Sequence, residues 1–402
     1  MRRAFLILFC VAADVEAQGV TWGKMSPVRE IPDTIALRYP AVVVSGDTTI
    51  VAANHFPNDL DRVAGRRRLV IARSPGGMLP IPNGSFDFAF PHLARDARGT
   101  LHLVWAEFAD SSGSLTAWMT PPTSLWHSVL RNGRWSMPRK IFAGRRLSWT
   151  GDGRSMVSDA AGNIHIAAPA LPATGQFAVV HLRVDSAGTV TEQDLAPGAA
   201  YASITHLSGD SLLIAFSTSD SETPKGGSSI LVRTSADGGR SWTSPSVIDR
   251  SDHHTGSAPL VERTSNGLEA FWVEPSRSSK GGSAVRRFSA RSSAGKWTAI
   301  EPEYAIEGAA VRVVSSGAVC GSYAAILETL NGSPNDPAIR LIGLAVYNGR
   351  LAATPLFPDL EGAMAVGIGA DRDGFRLIFA AIRHGEQRAI PATATGRACR
   401  TM

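Results

Sequence analysis

Seven times along the chain a small turn containing glycine leads into a short apolar or alternating strand, and this repetition restricts the fold more than any single motif does. The copies begin at Ser45 (SGDTTIVAANHF), Asp96 (DARGTLHLVWAEF), Asp159 (DAAGNIHIAAPA), Ser208 (SGDSLLIAFSTS), Ser265 (SNGLEAFWVEP), Ser316 (SGAVCGSYAAIL) and Asp371 (DRDGFRLIFAAI). Their glycines, from Gly46 to Gly374, lie on average about 55 residues apart. Self-similarity at such a period marks supersecondary units that bury their faces against one another.

Between these turns a second element recurs: a strand, a polar turn, and a strand that often carries Trp or Pro. It is read in VLRNGRWSMPRKIF (129–142), HLRVDSAGTVTEQDL (181–195), LVRTSADGGRSWTSPSVI (231–248), RFSARSSAGKWTAIEP (287–302) and LAVYNGRLAATPLFP (344–358), with RLVIARSPGGMLPIP (68–82) as a degenerate sixth copy. Each repeat therefore contains strands A and B around the first turn and strands C and D around the second. The expected fold is all-β, a β-propeller of four-stranded antiparallel blades, with seven blades preferred over six. VTWGKMSPVREIP (20–32) reads as an orphan D strand, and the last repeat lacks one. Pairing the two ends would close the ring and remove its exposed edges, giving one propeller domain over 18–402.

Residues 235–242, SADGGRSW, fill every position of a Ser-x-Asp-x-Gly-x-Ser/Thr-Trp turn. Gly238 and Gly239 can supply positive φ, Asp237 can accept bonds from turn amides, and Trp242 can pack between sheets. The segment resembles the Asp box of the sialidase-like (BNR-repeat) β-propellers. In that family the box lies on the rim opposite the ligand, so it indicates fold and not chemistry.

The first residues read as a targeting signal: basic MRR, apolar AFLILFCVAA, and small residues at Val15 and Ala17 that set cleavage after residue 17, with Ala13 as the alternative. The chain is then expected to be secreted or periplasmic. Phe9 before Cys10 argues against a lipoprotein signal. Cys320 and Cys399 remain, either bonded to each other or as two buried thiols. Beyond the signal no apolar run is long enough to span a membrane. The net charge of +5 includes a local Arg66-Arg67-Arg68 cluster without interleaved aromatics, so nucleic acid is not expected as a partner. No Cys or His pair has zinc spacing apart from His253-His254, whose adjacent side chains diverge, so neither metal nor cofactor is expected.

In a propeller the A–B and C–D turns lie on one rim, and the D-to-A and B-to-C connections surround the channel mouth on the other. That mouth rim gathers His55, Glu107, Arg154, His253 and Arg383 as candidate ligand contacts. The long connection from Glu107 to Ser128 adds Trp118 and Trp126, which would either stack on a sugar or cover a blade edge. Leu37-Arg38-Tyr39-Pro40, a following strand, and Asp59 and Asp61 in the next loop resemble the opening of sialidases, with Leu and Tyr replacing that motif's aromatic and Ile. The resemblance implies that Arg38 binds a substrate carboxylate and that Asp61, or Asp59, is a general acid or base. Tyr304 with Glu307 is the pair available for the family's Tyr nucleophile and its partner. Two readings stay open: a sialidase-type glycoside hydrolase acting on an anionic sugar, and a non-catalytic propeller that binds a glycan or a partner protein at its mouth.

Overall fold

The computed structural model describes residues 20–32, 37–55, 68–83, 88–107, 122–147, 149, 154–171, 177–219, 227–251, 257–275, 282–292, 295–300, 304–306, 309–319, 322–333, 336–347, 350–357, 360, 362–371, 374–382 and 389–397. Among them the strands form seven antiparallel sheets, and there is no helix. The protein is a seven-bladed β-propeller. The blades occupy 37–78, 89–143, 146–197, 199–251, 260–306, 309–356 and 362–397.

Each blade begins with an innermost strand, for example Leu37–Ser45 in the first and Ala199–Ser208 in the fourth, and steps outward by hairpins. The seventh blade is completed by the start of the chain. Thr21–Trp22 and Ser26–Pro27 pair with Ala389–Arg397, with Trp22 opposite Gly396 and Pro27 opposite Ala392. Six of the repeat glycines stand in or beside the inner hairpin turn. The exception is Gly317, which lies inside the Ala309–Val319 strand; this strand continues through a bulge until Val319 stands opposite Ser322.

Alternation along the strands gives every blade two apolar faces, and apolar burial therefore forms seven layers between neighbouring blades in place of one central core. Val104, Phe142, Trp149, Ile164 and Leu182 fill the layer between the second and third blades. Ala52, Ile71, Leu103 and Trp105 fill the layer between the first and second. Val28 and Ile31 of the N-terminal segment join Leu37, Val51 and Ile378 where the seventh blade meets the first.

The Ser235–Trp242 turn is built as its sequence indicates. Asp237 accepts from the Arg240 amide at 3.0 Å, the Ser241 amide at 2.9 Å, the Ser241 hydroxyl at 2.6 Å and the Ser235 hydroxyl at 2.8 Å. These bonds to the charged form hold its carboxyl well below the usual carboxylate range. Trp242 precedes the returning strand, which starts at Ser246, and packs into the layer between the third and fourth blades.

Candidate functional site

A cavity of about 420 Å³ runs along the propeller axis, within the size range of small-ligand sites. On the first blade its wall extends from Tyr39, near the start of the innermost strand, to Val44 beside the A–B turn. The Tyr39 end is the channel mouth. Arg154 and His92 also line the cavity, from the third and second blades.

Arg154 is anchored across the ring. Its Nη2 donates to Glu262 Oε1 at 2.6 Å, and the Glu262 side chain, on the innermost strand of the fifth blade, is 2 % exposed. A carboxylate so buried requires a cation and fixes its position. The Arg154 carbonyl accepts the Ile204 amide at 2.8 Å, so blades three, four and five meet at this residue.

Two aromatic residues stand in the same structural position on adjacent blades. The innermost strand of the first blade bulges between Arg38 and Ala41, and that of the second between Ala89 and His92. Tyr39 and Phe90 sit in these bulges, each before a proline and each in the left-handed region, with φ of 49° and 47°. Asn54, from the first blade, braces the second of these bulges by donating to the Phe88 carbonyl at 2.7 Å and accepting the Phe90 amide at 2.9 Å. Trp149 Nε1 donates to the Phe90 carbonyl at 3.0 Å, and the Trp149 ring lies 4.4 Å from that of His92. Sequence reading missed this pair. The signal was the repeated aromatic-proline step, Tyr39-Pro40 and Phe90-Pro91, ahead of two of the turn glycines.

Of the residues singled out from sequence, Arg154 lines the cavity. Arg38 pairs with Asn54 and His55 with Leu37 at the mouth end of the first blade; for both, only the backbone is described. Asp61, Asp59, His253, Glu307 and Arg383 lie outside the described residues, as do Cys320, Cys399, Trp118 and residues 1–19. Glu107 is not among the cavity-lining residues; its carboxylate accepts Trp126 Nε1–H at 2.6 Å. Trp126 is not in a loop either. It stands in the Ser124–Arg131 strand opposite Trp105, with the Lys140 ammonium 4.9 Å from its ring, and packs against the apolar layer between the first and second blades.

Tyr304 falls on the outermost part of the fifth blade, paired with Val285 and packed against the apolar layer shared with the sixth. It does not line the cavity. A tyrosine–glutamate bond does exist elsewhere: Tyr323 donates to Glu269 Oε1 at 2.7 Å, and Arg287 Nε donates to the same oxygen at 2.6 Å. This trio is sealed near the turn rim. Burial, and then the Glu269 charge, raise the Tyr323 phenol well above its ordinary range, so it stays protonated and works as a structural donor.

Among the described residues there is no group of three or more His, Cys, Asp or Glu that could hold a metal ion, and no helix long and apolar enough to cross a membrane.

No protein-family model matches the sequence, and no curated protein is significantly similar to it. Solved structures do resemble it. The polysaccharide lyase Uly1 superposes with a TM-score of 0.54 at 10% identity, covering 96% of this chain and 94% of its own. A PL25 ulvan lyase bound to a GlcA(1-4)Rha3S glycan gives 0.52 at 11% identity, covering 93% and 97%. A variant of the α-L-arabinofuranosidase of Fusarium graminearum, in complex with an iminosugar inhibitor, gives 0.50 at 11% identity, covering 79% and 95%. What this chain shares with these glycosidases and lyases is the β-propeller fold.

Proposed function

We propose that the protein is a carbohydrate-active propeller that receives an anionic glycan at the mouth of its central channel, and that its chemistry is sialidase-like removal of an acidic sugar. The observation that carries this reading is Arg154, a guanidinium in the cavity wall held in place by a buried carboxylate 2.6 Å away. Guanidinium pairs with a carboxylate through two parallel bonds, and an arginine fixed beforehand loses less freedom on binding. Arg38, the second residue of the innermost strand of the first blade, is the second cation assigned to the sugar carboxylate, and Arg383, after the Gly374–Ile382 strand, is the third. Asp61 is assigned as general acid or base. No nucleophile is assigned to Tyr304, because it packs on the outer strand of its blade. The structural neighbours act on sugars, which favours a glycan over a peptide as the occupant.

The test joins calorimetric binding of sialyllactose and of an oligoglucuronate to two activity assays on the purified full-length chain: a fluorogenic sialoside, and release of unsaturated uronate from an acidic polysaccharide. Arg38→Ala should weaken binding by about 2 kcal/mol. Asp61→Asn should leave binding nearly unchanged and lower turnover by about 10² to 10⁴. Uronate release without sialoside cleavage would make the protein a lyase. No binding of either acidic sugar would end the reading altogether.

A further inference from the structure

We propose that Tyr39, backed by Phe90, is an aromatic platform on which a pyranose ring of the glycan stacks at the channel mouth. The inference rests on the glycan reading above and names the surface that takes the apolar face of the sugar.

The backbone supplies the first reason. A left-handed φ at a residue other than glycine costs about 1 kcal/mol or more, and the residue before a proline is normally extended. Tyr39 and Phe90 violate both preferences at equivalent points of adjacent blades. Such a conformation persists only where its surroundings enforce it, and at Phe90 Asn54 and Trp149 do so through bonds to the Phe88 carbonyl and to the Phe90 amide and carbonyl. Bulges of this kind re-aim side chains next to working sites.

The second reason is where the rings end up. They meet edge to face, with centroids 4.7 Å apart and planes at 68°. Packing alone would favour burying both. Leu37, two residues earlier, is 1 % exposed and Pro40 is buried, yet Tyr39 is 38 % exposed and lines the cavity. Phe90 is the half-buried support and Tyr39 the surface presented. An aromatic face is electron-rich, and the polarised C–H groups on one side of a pyranose are its natural complement. With Arg154 in the same wall, the site offers an apolar face and a cation to a ligand that carries both a ring and a carboxylate.

The test measures binding of sialyllactose and of an oligoglucuronate to the full-length chain and to Tyr39→Ala, Tyr39→Phe, Tyr39→Trp and Arg38→Ala. Tyr39→Phe and Tyr39→Trp keep the ring against Phe90 and should match the parent's thermal midpoint, while Tyr39→Ala, which loses that contact, is compared well below its own midpoint. Tyr39→Ala is expected to weaken binding about tenfold, while Tyr39→Phe and Tyr39→Trp retain it and the new indole changes its emission when sugar is added. Equal binding by Tyr39→Ala, with Arg38→Ala still impaired, overturns the platform and leaves the glycan reading standing. Equal losses in Tyr39→Ala and Tyr39→Phe would assign the contact to the hydroxyl and overturn stacking. A parent that binds neither sugar removes both proposals.

Discussion

His102 and His165 each stand six residues after an aspartate that opens an inner hairpin turn, and each forms the middle of a buried relay. His102 Nε2 lies 3.5 Å from Asp96, and His165 Nε2 lies 3.0 Å from Asp159. Because the carboxylates accept, the opposite ring nitrogens must receive the Nε2–H of His127 at 3.0 Å and of His181 at 3.1 Å, with the rings of each pair stacked at 8°. Burial first, then neighbouring positive charge, pulls His127 and His181 down to about 3. An unfolded histidine takes its proton near pH 6.5, so the contribution of these residues is complete above that pH. It is lost as the pH falls toward 3, at up to about 1.4 kcal/mol per pH unit for each histidine. Burial alone would raise Asp96 and Asp159, but their amide, side-chain and histidine partners lower both on balance, so their share is lost only below about pH 4. The urea midpoint should therefore drop between about pH 7 and about pH 5. His127→Gln combined with His181→Gln should flatten that drop even if it lowers stability overall. A parent midpoint that is level across the interval would mean that the relays are protonated or open in solution. The two motifs were visible in the sequence as Asp-Ala-x-Gly-x-x-His; their partners on the third strands of the blades were not, since only sheet register brings His127 and His181 opposite Val104 and Ala167, two residues along and diagonally beside them.

At the scale of elements, the turns lock the blades together. Gly239 of the 235–242 turn, at φ 76°, sits on the rings of His181 and His165 of the preceding blade, and Gly162 sits on Asp96 in the same way. A methyl group at 239 would overlap His181, whereas Gly46, at φ 54° in the first blade, has nothing within 4 Å of where a Cβ would be. Both positions carry the left-handed penalty, but only one carries a clash as well. Gly46→Ala should cost about 1 kcal/mol and Gly239→Ala about 2 kcal/mol or more. Equal losses by denaturant titration would show that the turn does not bear on the histidines. Asp237→Ala should cost about 1 kcal/mol through lost turn bonds. None of these changes should alter sugar binding, because the A–B and C–D turns lie on the rim away from the mouth. Turns of this kind are legible because their demands are local: six of the seven marker glycines have the positive φ that a tight turn needs. The mouth is less so. It is made by bulges, in which two residues oppose one, and a strict alternation of inward and outward residues cannot reveal them.

For the whole molecule, seven-fold division follows from length and repetition, because a blade of about 55 residues cannot bury both its faces alone. The sequence also marks how the ring closes: one repeat lacks its last strand and the start of the chain carries a spare. Thr21–Trp22 and Ser26–Pro27 fill that place beside Ala389–Arg397. Trp22 anchors the joint. Its ring lies 6.4 Å from that of Phe375 within the layer between blades six and seven, and Gly343 and Gly396 leave room for the indole where a Cβ would approach it. Val28 and Ile31 then continue into the layer between blades seven and one, so one short segment seals two of the seven interfaces. Deleting residues 20–32 should therefore do more than shorten a strand. It would leave the edge of the Ala389–Arg397 strand unpaired and expose apolar surface on two blades, and the expected result is aggregation or a large fall in melting temperature. Trp22→Ala is the milder form of the same experiment and should cost about 3 kcal/mol as a large aromatic truncation. Closure should also make unfolding cooperative, so the parent should melt in one transition and the Trp22 variant should begin to lose its first and last blades before the rest. Hydrogen exchange would show this as early deuteration of 21–27 and 389–397. Protection of those strands equal to that of the fourth blade in the Trp22 variant would show that the ring holds without its tryptophan anchor.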